Sequence, residues 1–197
     1  MRFQLFLGNE IEPHLESLGR LRLKVFREYP YLYEGALETE VEHLKCYSRD
    51  ASGMLLALFD DADRLVGAAT GLPALAPWED ASLLVFDPQR EGKTFYWGEF
   101  ILEKPFRGKK WGQEMYRRGE ETIFRTLGFE NIGIYMIRTS EADAKRPADY
   151  LDVKEFVKRR GYRLLPDAQV VWDWAPVGET RKVPHTLDAW LKRAGEF

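Results

Sequence analysis

The chain is short of cysteine, of histidine and of long apolar runs, and each shortage removes a class of protein. Its single cysteine, Cys46, cannot form a disulfide within the chain, so no oxidising compartment is implied. The 3 histidines, His14, His43 and His185, are scattered, and beside one cysteine they give no zinc-ligand spacing. No metal site is expected. The longest purely apolar stretch, Met54 to Phe59, is far too short to cross a bilayer. The opening MRFQLFLGNEIEP lacks the apolar core of a secretory signal. Positive charge is in no excess: 29 Lys and Arg face 32 Asp and Glu, a net charge of -3, which argues against a nucleic-acid partner. Walker, dinucleotide-binding and Gly-x-Ser-x-Gly patterns are all missing. A soluble, cytoplasmic protein with no nucleic-acid or membrane partner is the expectation.

What the sequence does have is apolar mass and clear punctuation. Hydrophobic residues make up 45% of 197, enough to bury the core of one domain spanning 1–197. Met1 to Leu7 reads as a strand ended by Gly8-Asn9. Leu15, Leu18, Leu21, Val25 and Phe26 recur at helical spacing, in a helix that must end before Pro30. A second helix is expected over Glu38 to Ser48. Met54 to Phe59 and Leu65 to Leu72 flank Asp60-Asp61-Ala62-Asp63, the pattern of a hairpin. Helical character is expected near Trp78 to Val85.

Thr94 to Leu102 reads as a strand, Trp111 to Leu127 as a helix stopped by Gly128, and Asn131 to Arg138 as a strand. Asp152 and Glu155 have the capping-box spacing for a helix over Val153 to Arg160. Tyr162 to Leu165 and Gln169 to Trp174 read as a closing hairpin. Val177 to Phe197 reads as a C-terminal extension, with a short helix over Thr186 to Arg193. The result is a mixed α/β chain with a mostly antiparallel first half and a strand-helix-strand unit of right-handed crossover in the middle.

The chemistry concentrates in Phe95 to Gln113. A strand runs into a basic turn with two glycines, Gly108 and Gly112, and then into a helix. Free amides at a helix start, the macrodipole and the charges of Arg107, Lys109 and Lys110 together make an anion site, and a pyrophosphate is its natural guest.

The run Arg107-Gly108-Lys109-Lys110-Trp111-Gly112, after a strand and before a helix, resembles the acyl-CoA signature of the GCN5-related N-acetyltransferase superfamily. Arg107 fits its first position and Gly112 its last. Lys110 stands where the family has its middle glycine, a place a non-glycine residue fills if its φ is negative. The order of elements from about residue 2 to 175 is similar to the family's as well. The resemblance implies an α/β fold with a mixed, mostly antiparallel sheet, acetyl-CoA or another acyl-CoA as cofactor, and acetyl transfer to a primary amine. It implies that the backbone of Phe100, Ile101 and Leu102 pairs with the pantetheine arm. Arg107, Gly108, Lys109, Lys110, Trp111, Gly112 and Gln113 would hold the pyrophosphate, and the strand at Asn131 to Arg138 would diverge to admit the cofactor.

Such a transfer needs a base for the attacking amine. Glu99, on the strand of the cofactor-pairing residues and among Trp97, Phe100 and Ile101, is the candidate. The family's thiolate-protonating tyrosine falls at Val157, four residues before Gly161-Tyr162, so Tyr150 is the substitute candidate, with solvent as the alternative. The loop Arg27 to Gly35 corresponds to the family's acceptor roof. Its Tyr31, Tyr33 and Glu34 could receive a small cationic amine through aromatic faces and a carboxylate; packing tyrosines and a solvated glutamate are the other reading. The missing tyrosine and the replaced glycine also fit a non-catalytic acyl-CoA sensor. Homodimerisation stays open.

Overall fold

The computed structural model describes residues 1–74, 86 and 93–195. One sheet runs in the order β1-β2-β3-β4-β5-β7-β6. Its strands are β1 (Arg2–Leu7), β2 (Met54–Phe59), β3 (Leu65–Pro73), β4 (Thr94–Leu102), β5 (Asn131–Ile137), β6 (Arg163–Trp174) and β7 (Val183–Arg193). The helices are α1 (Leu15–Phe26), entered through a 3-10 stretch over Gly8–His14, α2 (Leu37–Arg49), α3 (Trp111–Glu121), continued by a π turn over Thr122–Thr126, and α4 (Val153–Arg159). The helical expectation near Trp78 to Val85 lies outside the described residues. No described helix is long and apolar enough to cross a membrane.

Strands β1 to β4 are antiparallel neighbours, and β4 pairs β5 in parallel after the α3 crossover. At the β2–β3 turn, the Asp60 carboxylate accepts from the amides of Ala62 at 3.0 Å and Arg64 at 2.9 Å, which holds the polar tetrad in its hairpin. Every residue of β2 is buried because both faces of the sheet are covered. Leu18, Leu21 and Leu44 of α1 and α2 pack with Leu55, Ala57 and Ala68 on one face. Met115 and Ile123 pack with Met54, Leu56 and Trp97 on the other.

Three expectations are corrected. Thr186 to Arg193 is strand, not helix, and the segment read as an extension lies inside the sheet between β5 and β6. Most of its second half is buried, so it lacks the alternation of a half-exposed strand. A short apolar run of that kind cannot be told from a helix by period. The closing hairpin is also absent: Tyr162 to Leu165 and Gln169 to Trp174 belong almost wholly to one strand, β6. Arg163 and Leu164 pair Leu191 and Trp190, and Gln169 resumes on Asp188 of the same β7. The intervening residues bulge out, with Asp167 at φ 59°. Asp152 does cap α4, accepting from the Lys154 amide at 2.9 Å, but Glu155 does not reach back; it accepts from Lys158 Nζ at 2.7 Å.

Candidate active site

Strands β4 and β5 pair only at Thr94–Asn131, Phe95–Ile132 and Tyr96–Gly133. Beyond that point β4 stays with β3 and β5 stays with β7, so the two facing edges diverge. The expected slot is therefore present, with Phe100, Ile101 and Leu102 on its β4 wall. Phe100 packs on Tyr116 of α3, ring centroids 3.9 Å apart, while Ile101 and Leu102 are buried.

At the end of β4 the chain turns through Lys104–Phe106 into the basic loop. The first backbone bond of α3 runs from the Glu114 amide to the Lys110 carbonyl at 3.0 Å, so the amides of Trp111, Gly112 and Gln113 precede the helical ladder. Gly108, at φ 73°, would have nothing within 4 Å of an added Cβ, and at Gly112 the nearest atom would be Phe100 Cε1 at 3.9 Å. The backbone is thus open to a close-approaching anion, as a pyrophosphate requires.

The side chains of this turn are less free than the sequence suggests. Arg107 donates from Nε to the Leu102 carbonyl at 2.8 Å and from Nη1 to Glu28 at 2.6 Å, clamping the end of β4 to the loop after α1. Lys109 Nζ lies 6.0 Å from the Phe106 ring, and Trp111 packs near Phe3. Gln113 is exposed.

Lys110 has φ 66°, not the negative φ expected of a non-glycine residue at this place. The turn keeps the left-handed conformation that glycine adopts freely, and the lysine holds it at a cost of about 1–2 kcal/mol. Lys110→Gly is therefore expected to raise stability by about 1 kcal/mol, read as a higher urea midpoint at unchanged slope. An unchanged or lower midpoint would show that the turn is not strained.

Glu99 is reached through a bulge. Thr70 pairs Glu99 and Gly71 pairs Trp97, leaving Gly98 as the extra residue of β4. The insertion shifts the alternation, so Glu99 joins Tyr96 on the α1–α2 face instead of lying opposite it. Gly98 has to be glycine here, because a Cβ would fall on the Tyr47 hydroxyl.

On that face Glu99 does not meet an apolar pocket. Arg22 of α1 donates Nη1 to one of its oxygens and Thr70 donates its hydroxyl to the other. Arg22 also donates Nε to Glu40 of α2 at 2.6 Å, and the Tyr33 hydroxyl donates to the second Glu40 oxygen at 2.6 Å. Exposure is 9% for Arg22, 2% for Glu40 and 5% for Glu99, so this is a buried charge cluster. Burial works against the charge on Arg22, but Glu99 and Glu40 outweigh it and raise its pKa.

The loop from Arg27 to Gly35, expected to roof the acceptor, divides its residues. Tyr31 is held by Phe26, at 4.7 Å between rings, and its carbonyl accepts from Trp174 Nε1 at 2.9 Å. Burial pushes its phenol up to about 12, with Arg22 lowering and Glu99 raising it. Tyr33 joins the cluster through Glu40. Glu34 stands apart at the surface, where its carboxylate takes Arg27 and the Gly178 amide. Tyr150 is half-buried and packs edge-on against Tyr29 at 4.7 Å. Burial, then Asp152, raises its phenol, so it keeps a proton to give. Val157 is fully buried in the core, and Cys46 is a free thiol pushed up to about 12 by burial, which leaves it inert.

Sequence reasoning missed Arg22, Glu40, Thr70 and Tyr116. Two of them carry a signal. Arg22 follows Leu18 by four residues and Glu40 precedes Leu44 by four, so each is a charge set into the apolar stripe of its helix. A separate groove of about 670 Å³, between α1 and the β1–β3 edge, is lined by Arg2, Phe6, His14 and Phe59 and touches none of the site residues.

No family model matches the chain, and no curated protein matches it. Solved structures do. A ribosomal-protein-alanine N-acetyltransferase from Brucella melitensis superposes with a TM-score of 0.60 at 13% identity, covering 97% of this chain and 99% of that one. The PaiA N-acetyltransferase from Thermoplasma acidophilum, solved with coenzyme A, gives 0.56 at 12% identity, over 98% and 100%. A mosquito arylalkylamine N-acetyltransferase-like protein gives 0.59 at 13% identity, over 98% and 100%.

Proposed function

We propose that this chain, which has the fold of the GCN5-related N-acetyltransferases, transfers an acetyl group from acetyl-CoA to the primary amine of a small acceptor. The observation that carries the reading is the junction of three features. The β4–β5 slot opens beside an exposed turn of amides, and a buried carboxylate, Glu99, sits on the slot's own strand. The residues present fit the cofactor: an unpaired strand edge for an amide-bearing arm and a turn opened by Gly108 and Gly112 at a helix start for a pyrophosphate.

Acetyl-CoA supplies an acyl carbon already activated as a thioester; a C–N bond forms on it, the C–S bond breaks and CoA leaves as its thiol. The protein's part is positioning and proton movement. Glu99 is the proposed proton acceptor for the amine, directly or through a water, and Thr70 and Arg22 fix its orientation. Tyr150 is the proposed proton donor to the departing sulfur. The backbone of Phe100 to Leu102 and the turn from Arg107 to Gln113, with the amides of Trp111, Gly112 and Gln113 ahead of the helical ladder, hold the cofactor, and Tyr31 and Tyr33 form the acceptor wall. Among the similar structures are proteins named for spermidine and for arylalkylamines, in keeping with a small amine. A cytoplasmic location belongs to the same proposal. Val157, where the family has its thiolate-protonating tyrosine, favours a second reading, an acyl-CoA sensor that binds without turnover.

The test is thermal unfolding with CoA, acetyl-CoA, ATP and NAD. Ligand at a hundredfold excess over Kd stabilises the native state by about 2.7 kcal/mol, a rise in Tm of several degrees for a chain of this size. A rise with both CoA species, but not with ATP or NAD, is expected. No CoA-selective rise would leave the fold without this function, and a rise without transfer to any amine would favour the sensor.

A further inference from the structure

Among the described residues, the cluster at Glu99 is one positive charge short. Two carboxylates, Glu40 and Glu99, share the single guanidinium of Arg22, and among the described residues no second cation pairs with either. Buried charges are ordinarily paired, because isolated ones are costly to desolvate. Two carboxylate oxygens are instead met by neutral donors, the Thr70 hydroxyl on Glu99 and the Tyr33 hydroxyl on Glu40, and of the two only Tyr33 stands on a loop.

That hydroxyl is a placeholder by its chemistry and by its position. Burial first, and then Glu40, pushes the Tyr33 phenol up to about 12, so it stays neutral and adds no charge to the cluster. Its ring lies back over its own loop, across Gly35, where any Cβ would collide with it. The loop is the one proposed as the acceptor wall, and its Tyr31 is in electrostatic reach of both Arg22 and Glu99.

We infer that the acceptor binds as its ammonium ion, which displaces the Tyr33 hydroxyl from Glu40 and supplies the missing charge, making Glu40 a specificity-determining residue for protonated primary amines. The inference rests on the acetyl-transfer reading. With the ammonium in place the cluster is neutral. When the ammonium passes one proton to Glu99, the charge within the site is unchanged and the nitrogen gains its free electron pair. Tyr150 gives its proton to the departing sulfur and is restored by the second nitrogen proton, and Glu99 later returns its proton to solvent. An amine that is uncharged at working pH does not supply the charge.

The experiment is calorimetric, on the full chain loaded with CoA. Propylammonium, benzylammonium and diaminobutane are titrated against alcohols of the same skeletons, into wild type, Glu40→Gln and Tyr33→Phe. At least one ammonium should bind wild type tenfold or more tighter than its alcohol. Glu40→Gln should erase that preference, and Tyr33→Phe should strengthen ammonium binding severalfold, since no hydroxyl then competes for the carboxylate. Opposite signs for the two variants separate ligand recognition from a structural role, which would weaken both. Equal binding of ammonium and alcohol, no ammonium binding at all, or the same sign in both variants overturns the inference. CoA binding, read in the same cell, reports on the acetyl-transfer reading by itself: its failure removes that reading, while normal CoA binding without ammonium preference removes only the inference.

Discussion

Arg22→Met is expected to destabilise the fold by about 3–5 kcal/mol, the range for removing one partner of a buried ion pair. Against a native stability of about 5–15 kcal/mol, that is enough to bring the variant near unfolding at moderate temperature. The cause is electrostatic, since methionine keeps much of the arginine's volume. Glu40 and Glu99 are left facing each other at 2% and 5% exposure with no cation between them. The urea midpoint measures the loss, and adding Glu99→Gln to Arg22→Met should recover a large part of it. A single variant with a wild-type midpoint, or a double variant no better than the single, would mean that Arg22 does not hold these charges together.

Glu99→Gln alone should do the reverse. It leaves Arg22 paired with Glu40 in a neutral cluster, so the urea midpoint should match or exceed that of wild type. Turnover should fall about a hundredfold to ten-thousandfold, the usual contribution of a positioned acid or base. The KM for acetyl-CoA should hold, because the proposed cofactor contacts are with the backbone of β4 and the turn before α3 rather than with this carboxylate. A fall in kcat at constant stability and constant acetyl-CoA KM is hard to produce by misfolding. Wild-type turnover across the pH range would remove Glu99 from the proton path, and a loss of both stability and CoA binding would make it a structural residue.

Local signals carried most of the fold. The punctuation around Thr94 to Leu102 and Trp111 onward placed β4 and α3 because Gly, Pro and charge bracket them on both sides. The last strand escaped because burial on both faces erases the alternation that marks a strand, and because nothing local says that Val183–Arg193 inserts between β5 and β6. The site divides in the same way. The turn from Arg107 to Gly112 is contiguous, so its pattern is visible; the left-handed φ of Lys110 is not, since it follows from how β4 delivers the chain to α3. Glu99 stood out as an acid among apolar residues. Its partners, Arg22 on α1 and Thr70 on β3, stand 77 and 29 positions earlier, and only packing brings them together. Glu34 attracted notice by lying in the acceptor loop, whereas Glu40, just beyond that loop, is the carboxylate the loop's tyrosine touches.

The sheet order also bears on how the chain can be made. β6 has no strand neighbour until β7 exists, and β5 lacks its antiparallel neighbour until the same moment, yet β7 is the last strand to emerge from the ribosome. At a synthesis rate of about 5–20 residues per second, β5 and β6 wait for seconds with unsatisfied edges. During that interval the nascent chain presents Tyr135, Ile137, Val170 and Trp172, side chains later packed into or against the core. The four-stranded half from β1 to β4 has all its pairings by then, so a folded half-sheet and an open one coexist on one nascent chain. Exposed apolar strand edges of that kind are what holdase chaperones bind, and expression of this protein should respond to their supply more strongly than its finished stability would suggest.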